Sequence, residues 1–322
     1  MSGNACILLI AERDDAEAGL VAESLGAHGI EVCWIDTADF PGHLDLIATP
    51  GAKYPGWLRS PDGEINLAQV RSVYRRSPSM FGMDDGMSAP ERRFALMEAV
   101  QGMGGALASL RCRWMNHPAR VADASYKPLQ LCVADQCGLR VPRTLVTNVG
   151  QAAREFAAEL GGSVIYKPMS PGVLAEQRRI RVVNATLITS ECIDDAAVGR
   201  TAHTFQQWID KEYDARVTAV GGNCFGVAIY AATETARIDW RSDYDALSYV
   251  VVDVPAEVQD GINDYLARCG LLFAALDFAV ETDGAWWFLE ANANGLWAWL
   301  QERTGLPISD AIAALLVEED TR

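Results

Sequence analysis

At 322 residues, half of them hydrophobic and with a formal charge of −16, the chain is too long for one core. It is also too acidic for a broad nucleic-acid or anionic-membrane surface. No apolar run reaches the roughly 18 residues of a spanning helix, and the eight cysteines and four histidines are scattered without a C-x-x-C pair, which disfavours a membrane span, a disulfide framework and a structural zinc.

The first residues, MSGNACILLIAERDD, lack a basic flank and a small-residue cleavage site, so they are expected to start a first strand in a cytoplasmic protein. Residues 5–10 (ACILLI) are that strand, EAGLVAESLGAHG is a helix closing on Gly29, and 30–35 (IEVCWI) is a second strand. This β-α-β opening predicts an α/β lobe, without the G-x-G-x-x-G of a dinucleotide site. RSVY at 71–74 ends another strand, and Arg75 and Arg76 leave it. Residues 90–110 predict a long helix from Pro90, with Gly102, Gly104 and Gly105 suited to close packing.

Asn116-His117-Pro118 breaks the chain and suggests a domain boundary. A helix is expected over roughly 119–138, an extended segment over 139–147, a helix over 150–161 and a strand, SVIYK, ending on Lys167. Residues 177–190 alternate as a hairpin, and FQQWI at 205–209 reads as a strand. Segments 215–220 and 224–231 form a hairpin around Gly221-Gly222-Asn223, and 256–270 is helical. The last two strands, 276–280 and 285–290, are joined by Thr282-Asp283-Gly284, a tight-turn sequence.

That last hairpin carries the clearest chemistry. The run Trp286-Trp287-Phe288-Leu289 stops at Glu290, and burying a lone carboxylate is costly. Asp277 lies in the preceding strand and can face Glu290 across the ladder, with Asn292 close by. Two carboxylates and a carboxamide are hard donors suited to Mg²⁺. Lys127 and Lys167 can meet phosphate as point charges, and the absence of G-x-x-x-x-G-K-[ST] excludes an ordinary P-loop. Gln206 and Gln207 can bond an adenine edge. Asp214 and Arg216 share a strand face, and Arg216 and Arg241 can stabilise phosphoryl charge or form surface ion pairs.

The order N-H-P, Lys127, G-L-R-V-P-R-T, Lys167, Q-Q-W-I, D-A-R-V, W-R-S, L-D-F and F-L-E-A-N resembles the ATP-grasp superfamily over about residues 116–305. Val73-Tyr74-Arg75-Arg76, Trp114-Met115-Asn116-His117-Pro118 and FLEANANGLW at 288–297 are similar to segments of the ATP-grasp ribosomal peptide maturases, the graspetide or microviridin-type macrocyclases. The resemblance implies an α/β protein with an ATP-grasp fold: an N-terminal α/β pre-ATP-grasp domain over 1–117, a central subdomain with lid and hairpin over 118–204, and a C-terminal subdomain carrying the metal site over 205–322. It implies that Lys127 and Lys167 hold ATP phosphates, that Gln206, Gln207 and Ile209 line the adenine, and that Asp214 meets the ribose. Asp277, Glu290 and Asn292 would bind Mg²⁺, with Arg216 and Arg241 at the reacting phosphate and carboxylate. The implied partner is a precursor peptide, a leader plus a core with acidic and Thr, Ser or Lys residues, whose side chains become linked by esters or amides through an acyl phosphate. Segment 170–190 would cover the site and contact the leader.

An acidic peptide on an acidic enzyme needs local positive charge, for which Arg75, Arg76, Arg178, Arg179 and Arg181 are candidates. The resemblance admits a homodimer, for which the sequence carries no interface signature. Two other readings stay open: a carboxylate–amine ligase acting on a small molecule or protein tail, and a non-catalytic nucleotide- or peptide-binding adaptor. The proline-containing segment after Lys167 and two glutamines where a glutamate is common depart from the family pattern.

Overall fold

The computed structural model describes residues 6–49, 51, 56–170, 173–176 and 179–318. The N-terminal lobe is built on a parallel sheet in the order Val32–Ile35, Cys6–Ile10, Val70–Arg75, Arg113–Met115. Its central strand, CILLI, is buried along its whole length, as a parallel strand covered on both faces requires. Strand alternation divides it. Cys6, Leu8 and Ile10 pack with Val73, Met103 and Trp114 inside the lobe. Ile7 and Leu9 face the other way, onto a core shared with Phe273, Trp297, Ile308 and Leu316 of the C-terminal lobe. One face of the first sheet is therefore the joint between lobes.

A small antiparallel sheet of Asp45–Ala48, Gly56–Ser60 and Gly63–Asn66, not expected from the sequence, belongs to the same lobe. The long helix is present, capped by Ser88 and Glu91, but it passes through a π-helical turn at Val100–Gly104. A Cβ at Gly102, Gly104 or Gly105 would meet nothing within 4 Å, so these glycines do not serve close packing as expected. The helix expected over 119–138 is two helices, Pro118–Asp123 and Lys127–Gln136. The break lies between them: Tyr126 is extended (φ −76°, ψ 99°) as the cap of the second helix, and Pro128 stands in that helix's first turn, where its missing N–H costs nothing.

Asn116 pins the junction. Its Nδ2 donates to the carbonyls of Phe273 and Ala293, both at 2.8 Å, and its Oδ1 accepts from Leu272 and Phe273 N–H.

The central subdomain is an antiparallel sheet ordered Thr186–Thr189, Ser163–Lys167, His203–Gln206, Thr144–Thr147, covered by helix Gly150–Glu159. The hairpin lies at Val173–Glu176 and Arg179–Val182, slightly earlier than expected, because 186–189 pairs instead with the Lys167 strand. The expected strand 205–209 is His203–Gln206, so residues 207–210 cross between sheets and the subdomain break falls after Gln206.

The C-terminal sheet is antiparallel throughout, ordered Leu247–Val252, Asn223–Ala231, Lys211–Val220, Phe273–Glu281, Trp286–Asn292. Gly221 (φ 54°) and Gly222 (φ 100°) make the left-handed turn its first hairpin needs. Leu276, Phe278 and Val280 pack with Ile262, Tyr265 and Leu266 of helix Ala256–Cys269 on one face. The residues between them point to the opposite face, over the cleft that faces the central subdomain.

Candidate active site

Two bulges aim the charged side chains. Phe278 pairs with Phe288, and both lie in the core. By simple alternation Glu290 would share that buried face. Leu289 is an extra, unpaired residue, so Glu290 falls opposite Asp277 and points into the cleft instead. Ala291 then takes the core position. The carboxylate at the end of an apolar strand is thus never offered to the core. A second irregularity lies between Lys211 and Tyr213, where Glu212 is skipped in the pairing with the 273–281 strand. Residues three apart on a regular strand face opposite sides. Here Lys211 and Asp214 meet, Nζ to Oδ1, at 2.7 Å in a buried ion pair.

Asp277 and Glu290 sit in a ring of cations. Arg216 faces Asp277 in register on the adjacent strand and donates from Nη1 to its Oδ1 at 2.7 Å. Arg241 Nη2 lies 2.5 Å from Asp277 Oδ2 and 2.9 Å from Glu290 Oε1. Lys127, in the first turn of its helix, pairs with Glu290 Oε2 at 2.8 Å and donates to the Pro168 carbonyl. Lys167 Nζ donates to the Leu289 carbonyl at 3.4 Å. Arg241 stacks on Trp240, 4.6 Å from the ring centre, and its loop is held by Asp239.

Burial alone would raise the Glu290 carboxyl; Lys127, Arg241 and Lys167 outweigh it and hold it below the usual carboxylate range. Burial opposes the charge on Arg241, and Asp277, Glu290 and Asp239 overcome that opposition and raise it. Lys167 is pulled down to about 8, by burial first and then by Lys127 and Arg241, against Glu290. Burial pushes Asp214 up to about 6 despite Lys211.

The cleft runs from these charges to the crossover between sheets. Lys167, Gln206, Gln207, Ile209, Asp214, Arg241, Asp277 and Glu290 all line it. Lys127 and Arg216 reach it through Glu290 and Asp277. The glutamines are not both free to read a base through their amides: Gln206 Nε2 donates to Thr144 Oγ1 at 2.8 Å, and Gln207 Oε1 accepts from Arg143 N–H. Lys211, Trp208, Asp239 and Trp240, none of them expected at the site, also line the cleft. Lys211 was hidden by its bulge, whereas Trp240 next to Arg241 was a readable signal.

Among the expected peptide contacts, Arg76 is corrected. It is only 1% exposed, lies 3.5 Å from Glu17 and donates to Asn294. Its guanidinium has no face left for a peptide. Arg75 is half-buried, and burial lowers its pKa. Arg178 lies outside the described residues, and Arg179 and Arg181 are placed in their strand by backbone alone.

Among the described residues no group of three His, Cys, Asp or Glu side chains could hold a metal. The candidate set instead joins two carboxylates and an amide. Two carboxylate oxygens converge on one nitrogen of Arg241, and Asn292 stands beside them, its Nδ2 3.4 Å from Glu290 Oε1. Turning that amide end for end brings its oxygen to the same place. Hard oxygens converging on a point that attracts positive charge fit a divalent cation such as Mg²⁺.

A family model described as the MvdD pre-ATP-grasp domain matches residues 6–122. No curated protein matches the chain. Among solved structures, macrocyclase MdnC from Microcystis aeruginosa MRC, bound with precursor peptide MdnA, is 30% identical, with a TM-score of 0.84 covering 97% of this chain and 99% of that one. A RiPP-associated ATP-grasp ligase from Chryseobacterium gregarium, in complex with ADP and a leader and core peptide, is 25% identical, with a TM-score of 0.90 covering 98% and 96%. The ATP-grasp ligase PsnB, complexed with Mg, ADP and a phosphomimetic variant of its minimal precursor, shares the fold at 22% identity, with a TM-score of 0.78 covering 98% and 99%.

Proposed function

The chain belongs to the ATP-grasp maturases of ribosomal peptides, the graspetide or microviridin-type macrocyclases, and is an ADP-forming ligase; from that premise we propose that it cross-links side chains of a precursor peptide. The bonds are esters or amides between an Asp or Glu carboxylate and a Ser or Thr hydroxyl or a Lys amine. The observation that carries this reading is the convergence of Asp277 and Glu290 on one cationic point inside a cleft that also holds Lys167 and Arg241.

A free carboxylate is a poor electrophile, so it must first be activated. A substrate carboxylate oxygen attacks the γ-phosphorus of ATP, the bond to the β-γ bridging oxygen breaks, and ADP leaves. The acyl phosphate is then attacked by the hydroxyl or amine, and phosphate departs with the original carboxylate oxygen. The hydroxyl proton ends on the departing phosphate as HPO₄²⁻, and a protonated lysine amine gives up one further proton to solvent. The net change in the peptide is one water per bond.

The enzyme contributes position and charge. Lys127 and Lys167 neutralise phosphate oxygens from the central subdomain side. Segment 206–209 borders the base, and Asp214, held by Lys211, borders the ribose. Arg216 and Arg241 face the carboxylate–phosphate junction. Asp277, Glu290 and Asn292 would hold Mg²⁺, which polarises the phosphates and offsets their charge. Segment 170–190 would cover the site and keep water from the acyl phosphate. Ala185, in the connection to strand Thr186–Thr189, borders the cleft and donates from its N–H to Asp239 Oδ2 at 3.0 Å.

For the peptide, Arg75 and the hairpin arginines are the candidate contacts. All eight cysteines are free thiols. No helix among the described residues is long and apolar enough to cross a membrane. The test is incubation of protein, ATP and Mg²⁺ with the precursor peptide encoded beside the gene, read by mass spectrometry. Consumption of small amino-acid acceptors with the peptide untouched would move the chain to the small-molecule ligase reading.

A further inference from the structure

Two segments carry the family resemblance and yet touch no proposed ligand: Arg76 in the N-terminal lobe, and Asn294-Gly295-Leu296-Trp297 after the metal strand. They are joined to each other. Arg76 Nη1 donates to the carbonyl and to Oδ1 of Asn294, both at 2.9 Å, and Asn294 Nδ2 returns a bond to the Arg76 carbonyl at 2.7 Å. Glu17 lies 3.5 Å from Arg76, and its Oε1 accepts from the N–H groups of Trp297 (3.2 Å) and Ala298 (3.4 Å). Trp297 is fully buried, and its Nε1 donates to Tyr74 Oη. The turn is thus locked from the N-terminal lobe at both ends.

Its other face meets Arg216. The Leu296 carbonyl accepts from Arg216 Nη2 at 3.2 Å. A Cβ added to Gly295 would lie 2.9 Å from that same nitrogen and 2.6 Å from Ala275 Cβ. The guanidinium is therefore wedged between the turn and Asp277, with two acceptors in all and none at Nε among the described residues. Without the turn, Arg216 would hang on Asp277 alone and could rotate about that bond.

We propose that the Asn294–Leu296 turn, locked by Arg76 and Glu17, is the element that positions Arg216, which makes Arg76, Asn294 and Gly295 positioning residues for the ligase reaction. A buried ion pair is a poor source of stability compared with apolar packing; this one holds the turn whose Leu296 carbonyl meets Arg216. It explains why the resemblance includes residues beyond the last metal ligand. It rests on the proposed reading only in making Arg216 face the reacting groups.

The test is Gly295→Ala with Arg76→Lys, each followed by peptide-dependent ADP release, thermal unfolding and a crystal structure. Ala275 lies on a buried central strand and cannot yield, so the added methyl drives the turn, and the Leu296 carbonyl with it, away from Arg216. The expected result is a fall in kcat of about tenfold or more with KM for ATP within about twofold, in a variant that melts lower than wild type but is fully folded at the assay temperature. Adding Gly295→Ala to Arg216→Lys should cost nothing further. If Gly295→Ala does not fold, Asn294→Ala replaces it. The proposal is overturned if Arg216 keeps its native orientation against Asp277 in the variant crystal although the Leu296 carbonyl has moved away, if kcat holds, or if the loss tracks Tm and adds fully to Arg216→Lys. The crystal readout is independent of turnover, so a protein that processes no peptide would defeat the functional reading while leaving this one to be decided.

Discussion

Asp277 and Glu290 stand opposite each other on adjacent antiparallel strands because Leu289 is bulged out beside them. The bulge sends Phe288 into the core and the next charged residue into the cleft. Together the carboxylates would repel, and the structure answers with a single nitrogen of Arg241 between them.

Arg241 therefore occupies the position a divalent cation would share. Arg241→Met leaves Asp277 with Arg216 and Glu290 with Lys127, but removes the competing charge. Mn²⁺ binding without nucleotide, followed by electron paramagnetic resonance, should tighten by about tenfold, a change of roughly one pKa-unit equivalent. The metal-free variant should melt lower than wild type and regain stability with Mn²⁺. Unchanged affinity would mean that the two carboxylates do not form the metal site.

Lys167 gives a pH signature. Its folded value near 8 lies below the usual lysine value because burial penalises its charge. Below about pH 8 it is protonated in the free protein and attracts phosphate; above that it is neutral. Nucleotide binding favours the charged form, so ADP binding at pH 8 should take up a fraction of a proton, and affinity should decline as pH rises from 8 to 9.5. Calorimetry in buffers of different ionisation enthalpy measures the uptake. Lys167→Arg should abolish both effects.

Lys211 and Asp214 form a buried pair whose halves depend on each other. Lys211→Met leaves Asp214 uncompensated and should cost about 3–5 kcal/mol in urea unfolding. Lys211→Met/Asp214→Leu should recover most of that loss, while ADP affinity stays low in both. The Asp214 carboxyl is raised from 3.8 to about 6 by burial, so its contribution is fully present below its ordinary value and is lost as pH rises through about 6. Asp214→Leu should remove that segment of the stability profile.

Much of this architecture was legible because patterns of period two and 3.6 survive in the chain. The opening β-α-β unit, the Gly221-Gly222 hairpin and the hairpin around Gly284 follow from apolar alternation and turn chemistry. Asp277 and Glu290 were readable as a pair, but the bulge at Leu289 was not. An unbulged count from the Gly284 turn would have placed Leu289 opposite Asp277. The same limit hid Lys211. Arg76 misled for another reason: a paired arginine at a strand end reads as surface charge, and only Glu17, some sixty residues earlier, and Asn294, over two hundred later, reveal it as buried. Long-range polar networks leave no local period to read.

Mass spectrometry of the precursor peptide after incubation with protein, ATP and Mg²⁺ reads the cross-linking reaction itself. Loss of one water per cross-link is expected, with one ADP formed per bond and no product from Glu290→Gln although that variant keeps its fold. A peptide that keeps its mass while wild-type protein hydrolyses or transfers ATP elsewhere, or a Glu290→Gln enzyme with near-normal turnover, would contradict it.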